Sequence, residues 1–167
     1  MSHHRKIYLL GIVLPWGFIA IAYFYFQQYL ALHPCPLCMF QRAALVAISI
    51  TCLLAISYAP SRFFHRLYSI LVALFAAIGM GIAGRQVWLQ SLPADQVPEC
   101  GFDPVYRWLE SGSSDDYNFM QMLATALKGS GDCAAVDWSF LGLSIAAWMI
   151  VIFSAFVLFA VVRFFRV

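Results

Sequence analysis

Five cysteines are the chemically loaded residues of this sequence, and two of them stand as Cys35-Pro36-Leu37-Cys38. A disulfide across this C-x-x-C pair closes a very small ring. An apolar run follows within a few residues, which puts the pair at a helix start. There, unpaired backbone amides and the helix dipole favour a thiolate and make it a good leaving group. Such a bridge suits exchange better than stability. The competing readings are a small brace at a loop, or half of a zinc site. No second C-x-x-C accompanies the pair, and no metal site is expected. Cys100 and Cys133 lie 33 positions apart on one acidic segment and are natural partners for a second disulfide. Alone, that bridge is a staple. Beside an exposed C-x-x-C pair on the same face it also permits a relay, because a thiolate from one pair can attack the bridge of the other. Four cysteines allow three pairings. Cys52 sits in mid-run between Thr51 and Leu53, where a free cysteine behaves as a small hydrophobe.

Arg42 lies four positions after Cys38, on the same helix face. A guanidinium at the edge of hydrocarbon pairs or snorkels. It can donate to a ligand carbonyl or an oxyanion and can favour a nearby thiolate; the alternative is contact with lipid phosphate. Arg85 invites the lipid reading more strongly. Gln41 and Gln86 are polar neighbours of these arginines, and His33 reads as a solvated loop residue.

The elements that must hold these residues are membrane spans. The 167 residues are 63% hydrophobic and 11% charged, with mean hydropathy +0.80. A soluble domain is roughly 45–50% apolar and about 25% charged, so neither a soluble globule nor a disordered chain fits. Four apolar runs, about 7–30, 43–59, 67–89 and 140–162, each suit a helix crossing a bilayer. The expected fold is therefore an all-α, integral membrane four-helix bundle forming one domain over 1–167, with outer loops at about 27–37 and 90–139. The first run is too long for a signal-peptide core and lacks a small-x-small cleavage site.

Charge orients the bundle. Arg5, Lys6, Arg62, Arg66, Arg163 and Arg166 share one side if the spans are four, and the positive-inside rule makes that side cytoplasmic, with both termini. All eight acids, Asp95 to Asp137, fall in the long loop, against Arg107 and Lys128 there. That loop faces outward with Cys35, Cys38, Cys100 and Cys133. Within it, Phe119, Met122, Leu123, Ala126 and Leu127 recur at helical spacing, which predicts a short amphipathic helix lying on the outer leaflet or capping the bundle. Trp16, Tyr23, Tyr25, Tyr29, Trp88 and Trp138 are interface or packing aromatics.

The stretch Cys35-Pro-Leu-Cys38-Met-Phe-Gln-Arg42 resembles the C-x-x-C-x-x-x-R signature of the bacterial disulfide bond formation protein B family. The segment from Gly131-Asp132-Cys133 through Asp137-Trp138-Ser139-Phe140-Leu141-Gly142-Leu143 is similar to that family too, as is a cysteine at 100, and the likeness covers essentially the whole chain. The resemblance implies an inner-membrane protein-disulfide:quinone oxidoreductase that reoxidises a periplasmic DsbA-like thiol oxidase, with ubiquinone or menaquinone as cofactor. It matches Cys35 and Cys38 to the quinone-proximal pair, Cys100 and Cys133 to the pair that meets the partner, and Arg42 to the quinone-associated arginine. The partners so implied are the thiol oxidase, the membrane quinone and the bilayer, with no nucleic acid and no metal. Partner oxidases of this kind stand near about −120 mV, so only an acceptor of higher potential keeps them oxidised. The chain departs from many members, which carry an acid where Gln41 stands and a histidine where Gln86 stands. Its outer pair is also spaced more widely. Readings from other classes are an assembly module braced by its disulfides and a small transporter, although the spans hold almost no ionisable residue. A paralogue with a dedicated partner oxidase is a variant of the same chemistry.

The charge pattern makes a direct prediction. A reporter active only in the periplasm should give signal when fused at Asp116 and none at the C-terminus. The reverse pattern would leave the cysteines in a reducing space and end the relay reading.

Overall fold

The computed structural model describes residues 3–32, 35–58, 61–93, 131–134, 136 and 138–166. Cys100, His33 and the amphipathic helix expected around 119–127 lie outside the described residues. The chain forms α1 (His3–Ala20), which passes into a π-helical stretch, π1 (Ile21–Tyr29), then α2 (Pro36–Ser57) and α3 (Arg62–Gln90). Further along the chain come a single turn, α4 (Gly131–Ala134), a two-stranded hairpin, β1 (Ser139–Phe140) with β2 (Leu143–Ser144), and α5 (Ile145–Arg166). Among the described residues, four helical segments are long and apolar enough to cross a membrane: Ile7–Tyr29, Pro36–Ser57, Arg62–Gln90 and Ile145–Arg166.

These bounds extend and shift the apolar runs for local reasons. α2 starts at Pro36, ahead of the apolar run and at the helix start expected for the C-x-x-C pair, because Cys35 is an extended N-cap whose sulfur accepts from the Cys38 amide and Pro36 occupies the first turn, where its missing N–H is no loss. α5 starts at Ile145 rather than 140. Leu141 (φ 54°) and Gly142 (φ 77°) take left-handed conformations that turn the hairpin, pairing Ser139 with Ser144 and Phe140 with Leu143. The Ser144 hydroxyl then accepts from the Ala147 amide and caps α5.

The helices pack in sequence order, α1 on α2, α2 on α3 and α3 on α5, around a core that includes Tyr8, Leu45, Ile48, Cys52, Val72, Ala76, Phe153 and Phe156. Two glycines set close approaches. A Cβ on Gly11 would stand 2.6 Å from the Cys52 sulfur, and one on Gly79 would stand 2.4 to 2.8 Å from the Phe153 ring. Small residues at helix contacts of this kind let backbones approach inside a membrane, where no hydrophobic force drives helices together. Cys52 is fully buried against α1, as the reading of a small core hydrophobe requires.

Gly79→Ala should therefore destabilise the bundle by about 1–3 kcal/mol through overpacking. Gly84→Ala, with open space around its Cβ position, should be neutral or slightly stabilising. Thermal unfolding in detergent compares the two.

Candidate functional site

The site is built on the first turn of α2. Cys35 caps the helix and Cys38 lies one turn in, so their sulfurs come within 2.8 Å, and the Cys38 amide points at the Cys35 sulfur at 3.4 Å. Cys35 is buried, with Leu37 and Leu89 packed against it. The last turns of α3 supply the other wall. Gln86 Nε2 donates to both the Cys35 and Cys38 sulfurs at 3.4 Å, and its Oε1 accepts from Gln41 Nε2 at 2.8 Å. Both glutamines are buried. One amide thus bridges both sulfurs while a second, from α2, fixes its orientation.

α4 delivers the third sulfur. It packs on α3 and α2 and buries Cys133 in one cluster with Cys35, Leu37 and Leu89. Contact with the Cys133 thiol, then with the Cys38 thiol, together with burial, pushes the Cys35 thiol well above the usual range. Cys35 is therefore less able than an ordinary thiol to hold negative charge, whereas Cys38 has the Gln86 donor and its own helix start to favour a thiolate.

Beside the sulfurs opens a cavity of about 390 Å³ between α1–π1 and α5. Apolar and aromatic side chains dominate its walls, among them Phe18, Ile19, Phe26, Leu45, Trp148 and Ile152, while Cys38, Gln41, Arg42 and Gln86 bring polar atoms to it. Arg42 Nη2 donates to the Ala22 carbonyl of π1 at 3.5 Å, which ties the guanidinium to the opposite wall. The hairpin forms the mouth. Trp138 packs edge-on to Phe26 at 5.0 Å and stacks on Phe140 at 6.0 Å, and Trp148 Nε1 donates to the Phe140 carbonyl at 3.1 Å.

The structure thus brings together four of the residues singled out from the sequence, Cys35, Cys38, Cys133 and Arg42. Arg85 instead lies over the Trp88 ring, 4.3 Å from its centroid. Gln86, left without a role by the sequence reading, is the residue that touches both sulfurs. Its position 48 residues after Cys38 carried no local signal beyond a polar residue in a largely apolar run, at a place where many members of the resembled family carry a histidine. Among the described residues, no group of three His, Cys, Asp or Glu side chains is arranged to hold a metal ion.

The family profile described as "Disulfide bond formation protein DsbB" matches residues 4–163. A disulfide bond formation protein B from Marinobacter nauticus is 44% identical over 150 residues, 90% of this chain and 85% of that protein. One from Nitrosococcus oceani is 43% identical over 149 residues, 89% of this chain and 84% of that protein. One from Xanthomonas axonopodis pv. citri is 39% identical over 164 residues, 98% of this chain and 91% of that protein.

The glutamine pair can be tested by itself. Gln86→Leu leaves Gln41 Nε2 buried without its acceptor and should cost about 1–3 kcal/mol. The double variant Gln41→Leu with Gln86→Leu should cost less than the two single changes summed, because both polar partners leave together. Thermal unfolding of the four proteins in detergent closes the cycle; strict additivity would show the amides do not depend on each other.

Proposed function

The chain belongs to the disulfide bond formation protein B family, and we propose on that basis that it reoxidises a periplasmic DsbA-like thiol oxidase and passes the electrons to a membrane quinone. Its place in this reading is the bacterial inner membrane, with both termini cytoplasmic and the catalytic cysteines periplasmic. The observation that carries the reading is the convergence of Cys133 and the Cys35–Cys38 pair at one end of an apolar cavity that also holds Arg42.

The cavity suits a quinone headgroup. Its walls are apolar and aromatic, as a flat ring with an isoprenoid tail requires, and the few polar groups converge where ring oxygens need donors. When bound, a quinone accepts two electrons and two protons.

The chain's own residues do the rest by thiol–disulfide exchange. A thiolate of the reduced partner attacks Cys100 of a Cys100–Cys133 bridge, giving a mixed disulfide and releasing Cys133. The partner's second thiol resolves that mixed disulfide and leaves the partner oxidised. Cys133 attacks Cys35 of the Cys35–Cys38 bridge and expels Cys38, and Cys100 then attacks Cys133, restoring the outer bridge and leaving Cys35 and Cys38 as dithiol. Cys38 faces the cavity and gives up the electron pair there, after which the Cys35–Cys38 bridge closes again. Gln86 donates to whichever sulfur carries charge. Arg42 supplies a planar fork to an oxygen that gains charge as electrons arrive.

Quinone reduction by the purified chain, given reduced thiol oxidase, tests the proposal. Cys38→Ser should abolish quinone reduction while still forming the mixed disulfide at Cys100, and native turnover in that variant would overturn the assignment. Arg42→Lys keeps the charge but loses the fork, so it should raise the apparent KM for quinone, and Arg42→Ala should raise it further. The exchange rate at Cys100 should change much less in both. Cys52→Ala should leave turnover unchanged.

A further inference from the structure

Two buried amides in contact run from the sulfurs to the cavity, and their polarity is set at the sulfur end. A sulfur that is bridged or charged accepts a hydrogen bond and has no proton to give. Gln86 therefore turns Nε2 to Cys35 and Cys38, at 3.4 Å from each. Its Oε1 is left to accept from Gln41 Nε2 at 2.8 Å. Gln41 must donate along this contact, so its own Oε1 is the free end of the pair.

Gln41 is only 2% exposed, and the side chain lies on the wall of the cavity beside Cys38 and Arg42. Among the described residues its Oε1 has no hydrogen-bond partner. A buried amide oxygen without a partner is costly, so the cavity holds an acceptor for an occupant to satisfy. Arg42, the next residue, lines the same wall with a guanidinium that only donates. The polar end of the cavity thus offers both kinds of partner. A ring carbonyl can use the donor alone, whereas a ring hydroxyl can give its proton to the acceptor.

We propose that Gln41 is a ligand-binding residue that recognises the reduced form of the quinone, its Oε1 accepting from a hydroquinone hydroxyl. This assignment rests on the reading of the cavity as a quinone site. Closing the Cys35–Cys38 bond gives up two electrons and two protons, and these turn both ring carbonyls into hydroxyls. Arg42 suits the ring before that step, and Gln41 suits it afterwards. Tighter binding of the reduced ring makes the bound acceptor a stronger oxidant of the sulfurs. A preference of about fivefold corresponds to about 20 mV for two electrons.

Isothermal titration calorimetry on the full chain in detergent reads the two forms separately. A 1,4-benzoquinone with a short alkyl tail is titrated into the oxidised chain. The matching hydroquinone is titrated into the reduced chain under nitrogen, so neither mixture exchanges electrons. Gln41→Leu should weaken hydroquinone binding about fivefold, the worth of one neutral hydrogen bond, and change quinone binding by less than about twofold. Gln41→Glu keeps an oxygen at that place and should hold hydroquinone affinity within about twofold of the native value. Melting curves check folding, and Gln41→Met repeats the test if the leucine variant does not fold. Equal weakening of both ligands, undiminished hydroquinone binding in Gln41→Leu, or a Gln41→Glu variant as weak as Gln41→Leu would overturn the assignment. Absence of saturable quinone binding by the native chain would instead remove the quinone site itself, and the role of Gln41 with it.

Discussion

The contact of the Gln86 amide with both sulfurs of the C-x-x-C pair is the interaction on which the rest of the site hangs. A dithiol at the first turn of a membrane helix has few donors to turn to, since hydrocarbon offers none and the helix supplies only its own unpaired amides. Gln86 comes from the far end of α3 and can reach the pair only because α2 and α3 pack tightly as antiparallel neighbours. Gln41 then occupies the remaining acceptor of that amide, so the donor stays aimed at sulfur. Buried polar groups of this kind stabilise when fully satisfied and cost heavily when not.

Three sulfurs, one bridging amide and one guanidinium therefore meet at one end of a bundle whose body is apolar. The other requirement is access from two directions. Cys133 arrives on α4 from the long loop between α3 and α5, while the cavity between α1–π1 and α5 opens beside Cys38. The hairpin that follows α4 also lines that cavity through Trp138 and Phe140, so the segment that carries Cys133 and the mouth of the cavity are a few residues apart on one stretch of chain. The proposed relay needs this arrangement, with thiol exchange and electron removal on adjacent atoms.

Much of this was legible in the sequence. Hydropathy revealed the four spans, the C-x-x-C pair pointed to a helix start, and the spacing of Cys38 and Arg42 predicted a shared face, because helical period and N-terminal capping are local properties. What escaped was non-local or conformational. Gln86 acts from another helix. The late start of α5 depends on left-handed backbone at Leu141, a residue type that seldom adopts it. The π-helical turn over Ile21–Tyr29, which brings the Ala22 carbonyl within reach of Arg42, has no signature in its apolar residues. Cys100, a partner in the proposed relay, lies outside the described residues, and its role rests on resemblance and exchange chemistry.

The most direct test of the central claim is a trap for the bond between the two pairs. In a double variant, Cys38→Ser with Cys100→Ser, neither sulfur that could break a bond between Cys35 and Cys133 remains, so mild oxidation, which takes two electrons from these two thiols, should accumulate a Cys35–Cys133 disulfide, read by mass spectrometry of a non-reduced digest. Recovery of that cross-linked peptide as the main product is the expected result. A digest in which Cys35 and Cys133 both remain thiols under those conditions would contradict the account.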